Sequence, residues 1–454
     1  MYPLITAVLS AIVIVSLIYL FHKWEMYAER TLKIMTVVFC LFGLFRFLLA
    51  DGFVETEMSF AHPLQSFLRW GYYIGYSVLP MAVFTESRLF RNIATYFSSA
   101  MALLSIAHMN TTMAHFFDGN GYGYTLTPAW RYIFYITELV LALSIPVVMA
   151  VQRKHIIDIH DRKELFHIAL GLPAILLQMM PAYIPQALFG WTDIPYGSFS
   201  PFHLGWIALI VVECVVLYLY FRKRSETDKY NLLRFLVIAQ VFHTMSIFLR
   251  GFTLSRMPIQ LCSIAAFFYF VAIITKNRTL FGFCFLTNIV GALIAIFLAA
   301  FDFGALYFFT IHYMFEHAFV MLMPILALSL GVFPRLTRAD LGCALGVFTI
   351  YFCGCYSSGL LINYLSMTDP TVYTVNYFYM FNYNVALKYL PFATFTGAIE
   401  IPLGKMNVYP ILIFVIYTVF VLLISGFFGF MKGFYKIKDL LSHKTDEPLP
   451  SITE

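Results

Sequence analysis

The chain has 454 residues, of which 61% are hydrophobic and 12% charged, with a mean hydropathy of +0.80 and a formal net charge of +5. A soluble protein of this size cannot bury so much apolar surface, so a water-soluble domain is excluded. The basic residues are scattered among short breaks, not gathered into a patch, which argues against nucleic acid as a partner.

Runs of about twenty apolar residues match a hydrocarbon core roughly 30 Å thick. Lipid offers no partners to exposed backbone groups, so these runs must be helices. The sequence therefore predicts an all-α polytopic membrane protein. Thirteen spans are expected, near 3–22, 32–50, 64–84, 91–109, 128–151, 165–185, 203–221, 231–250, 257–275, 280–301, 306–330, 340–362 and 409–432. The first has no basic residue before it and Lys23 just after it, the reverse of a cleaved leader, and is read as a retained helix.

Alternate loops carry the positive charge. Lys23, Arg30 and Lys33 lie in the first, Arg88 and Arg91 in the third, and Arg153, Lys154, Arg162 and Lys163 in the fifth. The seventh holds Arg222, Lys223, Arg224 and Lys229; the ninth and eleventh hold Lys276, Arg278, Arg335 and Arg338. This bias predicts cytoplasmic odd loops, a cytoplasmic C-terminus and an outer N-terminus. All seven cysteines fall in apolar segments, without disulfide or zinc spacing. No phosphate loop, nucleophile elbow or dinucleotide fingerprint stands in a convincing context, so no cofactor or metal is expected.

The two halves resemble each other. "HPLQSF" at 62–67 parallels "MPIQLC" at 257–262, and "YIFYITELVLALSIP" parallels "TIHYMFEHAFVMLMP". Gln65 and Gln260, Tyr135 and Tyr313, Glu138 and Glu316, Arg46 and Arg250 recur. An even repeat of six helices makes the units parallel, about an axis along the membrane normal. This divides the chain into a degenerate repeat at 1–202, a second repeat at 203–435 and a cytoplasmic tail at 436–454. Recurring residues read as scaffold. Cys262 and His317 answer to Phe67 and Leu139, so they belong to something that only the second half has.

Each candidate has a structural alternative. A thiol in a membrane helix is usually packing, although Cys262 sits just after Pro258 near the outer start of its span. His312 and Glu316 share a helix face, and His317 follows Tyr313 by four residues. Intramembrane ionisable groups mark function by default, against the alternative of hydrogen bonds between helices. Counted from Gly304, His317 lies about 20 Å down its helix, deeper than Cys262. The two meet only if the cysteine helix begins inside the membrane plane or one helix tilts. Arg250 and Arg256 flank the element at a level suited to lipid phosphates, or simply snorkel. The outer stretch from Ser366 to Asn407 is too polar to span and suits an interfacial cap.

At these residues the chain resembles the YwaF-like bacterial integral membrane proteins, related to the transmembrane protein 164 lipid acyltransferase family. The likeness rests on "PIQLC" at Pro258–Cys262, "EHAFVMLMP" at Glu316–Pro324 and "NYFYM" at Asn376–Met380, and covers roughly 203–432. It implies acyl exchange between membrane phospholipids in a bacterial cell membrane. Cys262 would be the nucleophile, His317 its base, Gln260 a donor to the developing oxyanion, and Glu316, His312 and Tyr313 supporting residues. Two other readings stand beside it. A proton- or cation-coupled carrier would use Glu138, Glu213 and Glu316, with Cys262 as packing, and a non-catalytic membrane subunit would use none of them.

Overall fold

The computed structural model describes residues 2–49, 78–85, 87–109, 128–152, 199–246, 254–297, 308–369, 372–403 and 406–445, with isolated positions between. The described helices are α1 (Tyr2–Lys23), α2 (Glu25–Leu49), α3 (Arg88–Ala107), α4 (Pro128–Val151), α5 (Pro201–Phe221) and α6 (Glu226–Ser246). They continue with α7 (Leu261–Thr275), α8 (Arg278–Phe297), α9 (Phe308–Ser329), α10 (Arg338–Thr368), α11 (Tyr383–Tyr389) and α12 (Pro410–Thr445). Among the described residues seven helices, α1, α4, α5, α8, α9, α10 and α12, are long and apolar enough to cross a membrane. The protein is an all-α membrane protein in its spanning part. Helices stand at eleven of the thirteen expected positions; the expected span at 165–185, and most of that at 64–84, lie outside the described residues.

α4 packs against α1, α2 and α3, while α9 packs against α5, α6, α7 and α8. α1 and α5 bury few of their residues and expose Leu, Val and Ile along their length, as lipid-facing helices do. Local chemistry explains the breaks. Lys276 adopts left-handed backbone (φ 54°) to end α7, and the Asn277 side chain accepts from the Leu280 N–H to start α8. Thr337 and Asp340 form a capping box at the start of α10. The same Asp340 carboxylate accepts from Arg278 Nε at 2.9 Å and its terminal nitrogen at 2.7 Å, so the starts of α8 and α10 are clamped together.

The stretch between α10 and α12 is not uniformly helical. It contains the short helix α11, two 3₁₀ turns and an antiparallel hairpin, β1 (Ile401–Leu403) with β2 (Met406–Val408). Phe378 inserts into an aromatic group with Phe348, Phe352 and Phe420, with ring centroids 5.1–6.2 Å apart. Phe381 packs so close to Gly359 that a Cβ there would lie 2.3 Å from its ring. These contacts fasten the "NYFYM" segment onto α10 and α12.

Candidate functional site

The irregular segment 257–260 leads into α7, which begins at Leu261 rather than at Pro258, with Gln260 as its N-cap residue. Fifteen residues make α7 about 22 Å long, shorter than the roughly 30 Å core. Non-helical backbone at membrane depth needs partners within the protein. Here the Ile259 carbonyl accepts from the Tyr351 hydroxyl and, at 3.6 Å, from the Cys355 thiol. Tyr351 and Cys355 are four residues apart on one face of α10. Leu261 seats against Gly291 of α8, where a Cβ would come within 2.9 Å of it. The start of α7 is thus held on two sides, and Cys262 occupies its first turn, half-buried.

The Ser263 side chain interacts with both the Cys262 thiol and the Glu316 carboxyl, and Glu316 lies within electrostatic reach of the thiol. Thr244 Oγ1 on α6 donates to Glu316 Oε1 at 3.2 Å. Tyr351 lies within electrostatic reach of Cys262 from the α10 side. Four helices, α6, α7, α9 and α10, therefore converge on this group. Because α9 begins at Phe308, Glu316 sits about 12 Å along it, level with the first turn of α7. Glu316, the residue before His317, is thus the α9 group that reaches the level of Cys262.

His317 is buried, and its ring lies 4.0 Å from that of Tyr313, centroid to centroid. Its Nδ1 lies 2.7 Å from the Tyr313 carbonyl. A carbonyl only accepts, so Nδ1 carries the proton and Nε2 keeps its lone pair. Tyr313 in turn donates from its hydroxyl to the Ala295 carbonyl at 3.0 Å. His312 is buried and stacks on His243 of α6, with centroids 4.4 Å apart and planes 20° from parallel. His243 Nε2 donates to the His312 carbonyl at 3.2 Å. Gln260 leaves its side chain exposed and does not cap α7 with it. Arg256 lies in the 3₁₀ turn Leu254–Arg256, with its side chain outside the described residues, as is all of Arg250.

Sequence reasoning placed Glu316 beside Cys262 as a supporting residue, and the structure brings these two within electrostatic reach. It missed Ser263, Thr244 and Tyr351. Ser263 adjoins the cysteine and was legible as such; Thr244 and Tyr351 come from other helices and carried no local signal. Cys353 and Cys355, two apart on α10, face different ways: the first is exposed and the second buried. In the stretch after α10, Tyr377 is buried beside Cys355, and these two causes, burial first, push its phenol up to about 12.

Taken together, the fold and this cluster define a multi-pass α-helical membrane protein with a thiol, a carboxyl and hydroxyls gathered at the start of a short apolar helix. The chain belongs to the TMEM164 family, whose model matches residues 198–428, just over half of it. No curated protein and no solved structure matches the chain. The matched region runs from just before α5 into α12 and contains every residue of the cluster.

Proposed function

We propose that the protein moves an acyl chain between membrane phospholipids through a thioester on Cys262. The observation that carries this reading is the convergence of Cys262, Ser263, Glu316 and Thr244 at the start of α7. Membership of the TMEM164 family and the resemblance at "PIQLC" and "EHAFVMLMP" support it. The thiolate attacks the ester carbonyl of a donor lipid; the carbon–oxygen bond breaks and the lysolipid alkoxide leaves with a proton. The acceptor hydroxyl then gives up a proton, attacks the thioester and releases the thiolate. In this scheme His317 is the base, a role suited to an imidazole whose Nε2 lone pair is available. Glu316 orients Ser263 and, with it, the thiol; Gln260 is the oxyanion donor, and Arg250 and Arg256 meet the phosphate.

The proposal includes the membrane arrangement inferred from sequence: thirteen spans, parallel six-helix repeats, an outer N-terminus and a cytoplasmic C-terminus. Two hydrogen bonds favour the repeat. Tyr135 on α4 donates to the Ser105 carbonyl on α3 at 2.9 Å, and Tyr313 on α9 donates to the Ala295 carbonyl on α8 at 3.0 Å. Each tyrosine thus binds the helix preceding its own among the described residues.

The test is acyl transfer from a labelled phospholipid in proteoliposomes. Cys262→Ala is expected to reduce it to background while His317→Ala costs roughly 10²–10⁴-fold. Full activity in Cys262→Ala ends the reading. The buried carboxyls Glu138 and Glu316 favour a coupled carrier as the second reading. It expects the opposite pattern: Glu138→Gln and Glu316→Gln stop substrate-dependent proton flux, and Cys262→Ala is silent.

A further inference from the structure

An apolar cavity of about 210 Å³ lies between α2, α6 and α7, with Pro80 and Phe84 also in its lining. α6 contributes Val241 and Met245, α7 contributes Phe270 and Val271, and α2 contributes Val37 and Leu41. Phe84 and Phe270 meet edge to face at 5.6 Å, bracing the wall between the two halves of the chain. One wall thus belongs to the family-matched region and the other to the N-terminal half, which lies outside it. Val37, Leu41 and Val271 are exposed, so the cavity opens sideways between helices that cross or border the membrane.

The cavity excludes most occupants by its size and lining. Water needs two to four polar partners, and the lining offers none beyond the Cys40 thiol. A helix with its side chains is about 10–12 Å across, too broad for this volume. Apolar cavities near 150 Å³ already stay dry and take small hydrocarbons. The remaining material at that depth is a lipid tail. From Ile238 to Met245 the slot follows α6 for about 10 Å. Its Met245 end adjoins Thr244, whose hydroxyl bonds Glu316 beside Cys262.

We propose that this slot seats one acyl chain of a phospholipid, with the N-terminal helices as its outer wall and the ester end at the level of Cys262. The alignment with Cys262 rests on the acyl-transfer reading; the seating of the chain does not.

The experiment uses the full chain in vesicles of phosphatidylcholine doped with a phosphatidylcholine carrying a diazirine at mid-chain. After irradiation, labelled peptides are mapped. The slot predicts labelling of α2, α6 and α7 at least tenfold above that of α5, whose Leu209, Val212 and Val216 are exposed to ordinary annular lipid. Val241→Trp should remove that excess, whereas Val241→Ala, which makes room, should preserve it. Cys262→Ala should leave the labelling unchanged even where it stops turnover, which separates the slot from the chemistry. Equal labelling of α5, or no response to Val241→Trp in protein as well folded as Val241→Ala, overturns the proposal.

Discussion

At the residue scale, the least obvious feature is how the backbone just before Cys262 is paid for. A carbonyl at membrane depth without a donor costs far more than one in water. Two side chains of α10 serve Ile259, and the stronger donor is the Tyr351 hydroxyl. Tyr351→Phe removes that donor and nothing else of the ring. It is expected to destabilise the protein by about 1 kcal/mol and to loosen the first turn of α7. Thermal unfolding in detergent reads the first effect, and the rate of Cys262 alkylation by a lipid-soluble maleimide reads the second. An unchanged alkylation rate would show that α8, through Leu261 and Gly291, holds the turn unaided.

At the element scale, the starts of α8 and α10 depend on one carboxylate. Asp340 closes the capping box with Thr337 and receives the Arg278 fork. Arg278 is partly exposed, so screening discounts the ion pair itself. The cap is worth about 0.5–2 kcal/mol. Asp340→Ala should therefore lower stability by that order, measured by thermal unfolding, with Arg278→Ala costing less. If Arg278→Ala costs as much, the clamp between helices outweighs the cap. The structure supplies the partner of Asp340 on α8. The span boundaries moved where a cap or a late start intervened: α7 was expected from 257 and begins at Leu261.

At the scale of the whole molecule, the basic loops predict an orientation that can be measured. A fluorescent protein fused after Glu454 should be bright, and alkaline phosphatase at the same place inactive, as a cytoplasmic C-terminus requires. The reverse result would invert every statement about which leaflet the Cys262 cluster faces. The two halves meet across α2, α6 and α7, where the apolar slot lies. The N-terminal half then has a physical task, completing a wall that the family-matched half leaves open.

The apolar runs by themselves determined the class and eleven of the described helix positions, because burial in lipid constrains residue type along a continuous stretch, while the family was legible in the short motifs at Pro258–Cys262, Glu316–Pro324 and Asn376–Met380. They also singled out Cys262 and Glu316, since an intramembrane thiol near a proline and a carboxyl in an apolar helix stand out against their surroundings. Only the tertiary structure decided which groups meet. Ser263, Glu316 and Tyr351 lie within reach of the thiol from α7, α9 and α10, Thr244 on α6 bonds Glu316, and these contacts depend on where α7 starts. That start is set by hydrogen bonds to Ile259 from residues about ninety positions away, a distance across which no local sequence pattern carries information.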